Sequence, residues 1–277
     1  MFKKYHELIF IFLVLVLLGC SKKANLVKKP ETIPPLNILY TNAYKEFEKG
    51  NWTESVELFQ KVETRYSYSE WAPRATLMIL YIHYDSNDSI QTLRYVEKFK
   101  KLYSGREEIS YVDFIRAMTF YEQINVVSKD QTYTEVALKE FREIIKKYPN
   151  SIYAKESKLK IDLILEQLAG KEMYLARYYM NKNKWISALK RLNIVLSKYE
   201  TTIYSTEALH RLVEIYYRLG NVNEAKKYAA LLGYNFNDSD WYKKTYRIVK
   251  DKNYIIENKK QNRKLKDKIK KIFKFSK

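Results

Sequence analysis

The stretch Ala137-Leu138-Lys139-Glu140-Phe141-Arg142-Glu143-Ile144-Ile145-Lys146-Lys147-Tyr148-Pro149-Asn150-Ser151 decides the fold. Leu138, Phe141, Ile144 and Ile145 recur at spacings of three and four, which gathers them on one face of a helix and leaves the charged residues on the other. Pro149 has no amide hydrogen to continue the ladder, and Ser151 can cap the helix that follows. Ala137 has the small side chain that a close crossing of two helices demands. Phe141, one turn later, supplies the bulk beside it.

The same spacing returns along the chain. Trp52-x-x-Ser55-x-x-x-Phe59-x-x-Val62, Trp185-x-x-Ala188-x-x-x-Leu192-x-x-Val195 and Tyr216-x-x-x-Gly220-x-x-x-x-Ala225 repeat it, with a weaker copy from Asn87 to Phe99. The small positions Ser55, Thr92, Ala137, Ala188 and Ala225 lie 37, 45, 51 and 37 residues apart, a loose period with insertions in the middle. Two antiparallel helices in about 34 residues make a tetratricopeptide unit. Such a pair cannot bury its own apolar face, so pairs stack and share one core. The expected fold class is all-α, an α-solenoid of about five helix pairs. Helices are expected over 37–49, 52–66, 71–84, 88–103, 108–126, 133–148, 151–181, 185–199, 203–219 and 222–232. Gly170 leaves open whether 151–181 is one helix or two.

Six glycines and five prolines in 277 residues are few, as unbroken helices require. The formal charge is +19, but residues 243–277 hold fifteen Lys/Arg against three Asp/Glu, so +12 of it lies in the last 35 residues. The body is only mildly basic, and nucleic acid is not expected as a partner. His83 and His210 lie on expected helices without a ligand or triad pattern around them. They read as packed or surface residues. No phosphate-cradling glycine loop is visible. No catalytic, cofactor-binding or metal-binding residue is expected, and no cofactor.

The first nineteen residues have a basic start, an apolar run of eleven residues from Leu8 to Leu18, and Gly19. They read as a leader peptide, since a spanning helix needs about 20 apolar residues. Leu17-Leu18-Gly19-Cys20 resembles the lipobox of bacterial lipoproteins. That resemblance implies a diacylglyceryl thioether on Cys20, cleavage before it, and an acyl (palmitoyl) group on the new amine. Cys20 is the only cysteine, so disulfides and cysteine metal sites are excluded. Ser21, where an inner-membrane retention signal would usually place Asp, points to the periplasmic face of an outer membrane. The expected organisation is leader 1–19, lipidated tether 20–36, repeat domain 37–246 and basic tail 247–277. In the tail Leu265, Ile269, Ile272 and Phe273 share a helical face among lysines. This suits an anionic membrane surface, an acidic partner or a solvated end.

Longer motifs carry a resemblance to a family. Arg65-Tyr66-Ser67-Tyr68-Ser69-Glu70-Trp71-Ala72, Lys129-Asp130-Gln131, Tyr148-Pro149-Asn150-Ser151-x-Tyr153-Ala154, Leu168-Ala169-x-x-Glu172-x-Tyr174-x-Ala176-Arg177-Tyr178-Tyr179 and Asn235-x-x-Asp238-Ser239-x-Trp241-Tyr242 each resemble elements of the BamD family, over roughly residues 20–246. Ser67 and Thr201 stand where that family has proline, and Phe236-Asn237 replaces the Tyr-Pro of its closing motif. The resemblance implies a non-enzymatic lipoprotein of the outer-membrane β-barrel assembly machinery. Its N-terminal repeats would receive unfolded outer-membrane proteins through their terminal β-signal. Its C-terminal repeats would dock the periplasmic domains of the barrel-forming subunit, with other assembly lipoproteins beside it. In such a repeat the first helix of each pair lines the groove, which selects Tyr40, Tyr44, Phe47 and Glu48 for substrate. Arg191, Arg211 and Arg218 are the candidates for the partner interface, where a guanidinium meets carboxylates in fork geometry. Glu172 and Arg177 suit an internal ion pair as well as a partner. The alternative is a periplasmic repeat scaffold serving peptidoglycan, division or DNA uptake.

Overall fold

The computed structural model describes residues 34–250. The leader, Cys20, most of the tether and the tail from 251 lie outside the described residues. Within them the chain forms eleven α-helices and no strand. They are α1 Leu36–Glu48, α2 Trp52–Arg65, α3 Trp71–Asp85, α4 Ser89–Leu102, α5 Ile109–Tyr121, α6 Thr132–Lys147, α7 Ile152–Asn181, α8 Trp185–Lys198, α9 Tyr204–Arg218, α10 Val222–Asn235 and α11 Asp240–Lys250. Consecutive helices pack antiparallel, giving five pairs and a closing helix.

The five small positions explain why the pairs form. Ser55, Thr92, Ala137, Ala188 and Ala225 are all fully buried at the crossings. Ser55 adds a bond there, its Oγ donating to the Ala43 carbonyl of α1 at 2.8 Å. Phe59, Phe99, Phe141 and Leu192 fill the space beside them and are fully buried as well. The turns inside the pairs repeat too. Gly50, Asn87, Asn183 and Gly220 occupy the same position in four of the five units, with φ of 77°, 60°, 57° and 77°. A left-handed residue ends a helix by satisfying its last carbonyls, and glycine and asparagine reach that region at least cost.

The third pair departs from this pattern. Periodicity predicts helix over 108–126, yet α5 ends at Tyr121 and a loop runs to Gln131. Ile124 and Val127 continue the apolar pattern but are half-buried as part of a loop. The long helix α7 holds the loop's carbonyls: Gln167 Nε2 donates to Asn125 O at 2.6 Å, and Lys171 Nζ to Ser128 O at 3.0 Å and Lys129 O at 2.9 Å. Helix α7 is continuous through Gly170, where a Cβ would lie 3.1 Å from both Tyr204 Oη and Val127 Cγ1. The glycine allows α9 and the loop to approach and does not break the helix.

The helices expected in the body end at 232, and α11, Asp240–Lys250, is an addition to them. It covers the exposed side of the last pair through Ile248, with Val213 and Ala225. His210, 3 % exposed, lies beneath it. Its Nδ1 is 2.8 Å from Thr245 Oγ1 and its ring 5.0 Å from that of Trp241. Burial drives the His210 pKa down to about 4, opposed by Glu214 and helped by Arg211 and Lys244. The folded chain thus holds His210 neutral where the unfolded chain, at 6.5, takes a proton. Stability from this group is complete above pH 6.5 and is lost as pH falls toward 4, up to about 3 kcal/mol in all. We predict that urea midpoints fall between pH 6.5 and 5 and that His210→Asn, whatever its absolute stability, flattens that slope. An unchanged slope in the variant would place the titration elsewhere.

Candidate functional site

Two surfaces stand out. The first is aromatic and runs over the first helices of successive pairs. On α1, Tyr44 is 42 % exposed and its ring centre lies 5.9 Å from that of Phe47. Phe47 is in turn 5.9 Å from Tyr81 of α3. On α5, Tyr111 is 5.7 Å from Tyr153 of α7, which is 5.3 Å from Phe114. Glu107, Glu108 and Ser110 border Tyr111 and Tyr153 around an open hollow of about 370 Å³. Of the four expected groove residues, Tyr44 and Glu48 are exposed and Phe47 is half-buried between Tyr44 and Tyr81. Tyr40 is half-buried against Phe59 and Trp71, at 5.2 and 4.6 Å, and serves packing at least as much as the surface.

The hydroxyls of Tyr40, Tyr84, Tyr111 and Tyr153 stay protonated. Burial raises the Tyr40, Tyr84, Tyr111 and Tyr153 pKa values, with Tyr111 pushed up to about 12. Tyr84 Oη also donates to Glu122 Oε1. The face therefore offers apolar rings with neutral hydroxyls. Tyr81, Tyr84, Tyr111 and Phe114 are absent from the sequence-based groove set. The available signal was their recurrence on the first helix of each pair.

The second surface is a cleft of about 300 Å³ between the 122–131 loop, α7 and α8. Lys129-Asp130-Gln131, Glu172 and Arg191 all border it, so two motif segments distant in sequence meet there. Arg191 Nη1 lies 3.1 Å from Glu172 Oε2, and the Arg191 side chain is 35 % exposed. Asp130 is held below the usual carboxylate range, chiefly by the Thr132 hydroxyl and amide. Asp130 Oδ1 accepts the Thr132 amide at 3.0 Å.

The other two arginines lie away from this cleft, Arg218 at an exposed position. Arg211 reaches Glu214 at 2.7 Å and Glu207 at 3.3 Å, and it lies over the Trp241 ring at 5.1 Å. Arg218 covers the Trp185 ring at 5.3 Å. Glu172 and Arg177 do sit in internal ion pairs, but not with each other. Arg177 Nε donates to Glu207 Oε1 at 3.1 Å, while Glu172 serves Arg191. Burial pushes the Glu207 pKa upward, but the guanidiniums of Arg177 and Arg211 outweigh it and hold Glu207 below its usual range. Among the described residues no cluster of three or more His, Cys, Asp or Glu is placed to hold a metal ion. No described helix is long and apolar enough to cross a membrane.

Stacked helix pairs with an aromatic face and an open charged cleft define a tetratricopeptide-type binding scaffold. The chain belongs to the YfiO family, described as outer membrane lipoprotein, whose profile matches residues 34–232. It is 39 % identical over 236 residues to the outer membrane protein assembly factor BamD of Caulobacter vibrioides, covering 84 % of this chain and 76 % of that one. It is 36 % identical over 237 residues to BamD of Rickettsia prowazekii, covering 86 % and 93 % of the two chains.

Proposed function

We infer that the chain is an outer-membrane lipoprotein of the β-barrel assembly machinery, acting as a non-catalytic adaptor. The observation that carries this reading is the aromatic face, whose ring contacts join α1 to α3 and α5 to α7. An unfolded barrel strand alternates apolar with polar side chains and carries unpaired backbone groups along its length. Rings and neutral hydroxyls complement both, so Tyr44, Phe47 and Tyr81 take the aromatic end of such a strand. The assembly-factor name carried by the relatives favours this role over a peptidoglycan, division or DNA-uptake scaffold.

In the same reading Cys20 carries the lipid that holds the chain to the periplasmic face of the outer membrane. The cleft beside Arg191 receives the periplasmic domains of the barrel-forming subunit, with the other assembly lipoproteins nearby. Arg191 suits this task better than Arg211 or Arg218, because it alone of the three borders the cleft. A charged hydrogen bond contributes about 1.5–3 kcal/mol, so Arg191→Glu should weaken co-purification of a barrel-type subunit about ten- to a hundredfold. Arg191→Ala controls for repulsion by Glu172, and circular dichroism for the fold. Unchanged recovery with both variants would remove Arg191 from the interface. Substrate is tested by fluorescence titration of a C-terminal barrel-strand peptide. Tyr44→Ala with Phe47→Ala should lose most of the affinity, and full affinity would rule out this end of the groove.

A further inference from the structure

We propose that one edge of the solenoid, formed by the turns 66–70 and 103–108 beside the start of α1, lies against the phospholipid surface. The proposal rests on the reading of Cys20 as a lipid anchor and extends it to the orientation of the body.

Three chain segments are tied together at this edge. Tyr66 Oη donates to the Pro34 carbonyl at 3.0 Å, which fixes where the tether enters the body. Glu70, at the far end of the same turn, pairs with Arg106 of the next turn along the edge. On this tied edge the large apolar side chains face outward: Tyr68 is 104 % exposed and Leu102 56 % exposed. Arg65 ends α2 and Lys101 lies in the last turn of α4, so cations flank both. A tyrosine seats its ring at headgroup depth with its hydroxyl in water, and arginine and lysine reach anionic headgroups over apolar stems.

Exposure alone does not select this edge, because Ile90 at the opposite end of the helix pairs is 80 % exposed. The tether favours it, because the chain enters the body at Pro34 on this edge. Thirteen residues lie between Cys20 and Pro34, and the stretch from one to the other spans at most about 50 Å. The helices are 13–15 residues long here, which puts Ile90 about 20 Å further along the helix axes. Seating the edge at Pro34 on the bilayer leaves the tether slack, whereas seating the Ile90 edge would draw out about 20 Å of its reach.

The test uses the full lipidated chain in vesicles of phosphatidylethanolamine with phosphatidylglycerol. With the Cys20 thiol taken up by lipid, a nitroxide can be attached singly at Tyr68→Cys, Leu102→Cys or Ile90→Cys. The ratio of oxygen to nickel-chelate accessibility then reads depth. The expected result is a ratio at 68 and 102 severalfold above that at 90, falling to the value at 90 when Arg65→Glu and Lys101→Glu are combined. Equal ratios at the three sites, or a deeper reading at 90, would overturn the proposal. The mass of the N-terminal peptide separates the two readings: acylated Cys20 with equal ratios sinks the orientation alone, whereas unmodified Cys20 sinks the anchor and the orientation with it.

Discussion

Phe141→Ala is expected to destabilise the protein by about 3–5 kcal/mol, the usual cost of emptying a fully buried phenylalanine site. Phe141 has no exposed surface and packs with Ala137, Leu138, Ile144, Ile164 and Leu168. Its ring lies 5.9 Å from Phe114 and 6.1 Å from Tyr121, so α5, α6 and α7 all lose contacts together. A whole domain has only about 5–15 kcal/mol to spare. The position also matters for cooperativity. The middle cluster stands between one core around Phe59 and another around Leu192, and a solenoid is stabilised through nearest neighbours. Urea unfolding of the variant should therefore shift to a lower midpoint and split or broaden, as the two ends lose their coupling. A loss below about 1 kcal/mol with one sharp transition would contradict the shared core.

Cys20→Ala is expected to abolish membrane attachment. Each buried acyl methylene contributes about 0.8 kcal/mol, and stable anchoring takes two chains or a chain with a second signal. No described helix can replace the lipid as a span. The variant should accumulate as uncut precursor or as soluble protein. Its outer-membrane fraction should be close to nil while the purified body keeps its helical spectrum. Fractionation with intact-mass measurement checks both, and a variant still found with the outer membrane at wild-type level would contradict the anchor.

The two variants probe features that were unequally legible. Ala137 and Phe141 announce themselves, because a helix crossing needs a small residue and a filler one turn on, and both properties belong to residue types. The pairs followed from that. Helix α11 did not, although Trp241, Thr245 and Ile248 share its inner face; lysines crowd the segment, and only packing against His210, Val213 and Ala225 shows that the face is buried. The end of α5 was hidden for the opposite reason. Ile124 and Val127 keep an apolar pattern that a loop half-burying the two side chains satisfies as well as a helix does.

The surfaces were legible only in part. Arg191, Arg211 and Arg218 look alike in sequence. All three have partners, Arg191 in Glu172, Arg211 in Glu207, Glu214 and Trp241, and Arg218 in Trp185, but only Arg191 borders the cleft, and this follows from packing and not from periodicity. Likewise, nothing in a count of 26 tyrosines separates Tyr40, turned into Phe59 and Trp71, from Tyr44 at the surface.

Mass spectrometry of the complex released gently from membranes tests the adaptor role most directly. The account predicts this chain, acylated at Cys20, in stoichiometric complex with a barrel-type outer-membrane subunit, and loss of that subunit with Arg191→Glu. Recovery of the acylated chain with peptidoglycan-binding or division proteins, and no barrel-type subunit, would contradict it.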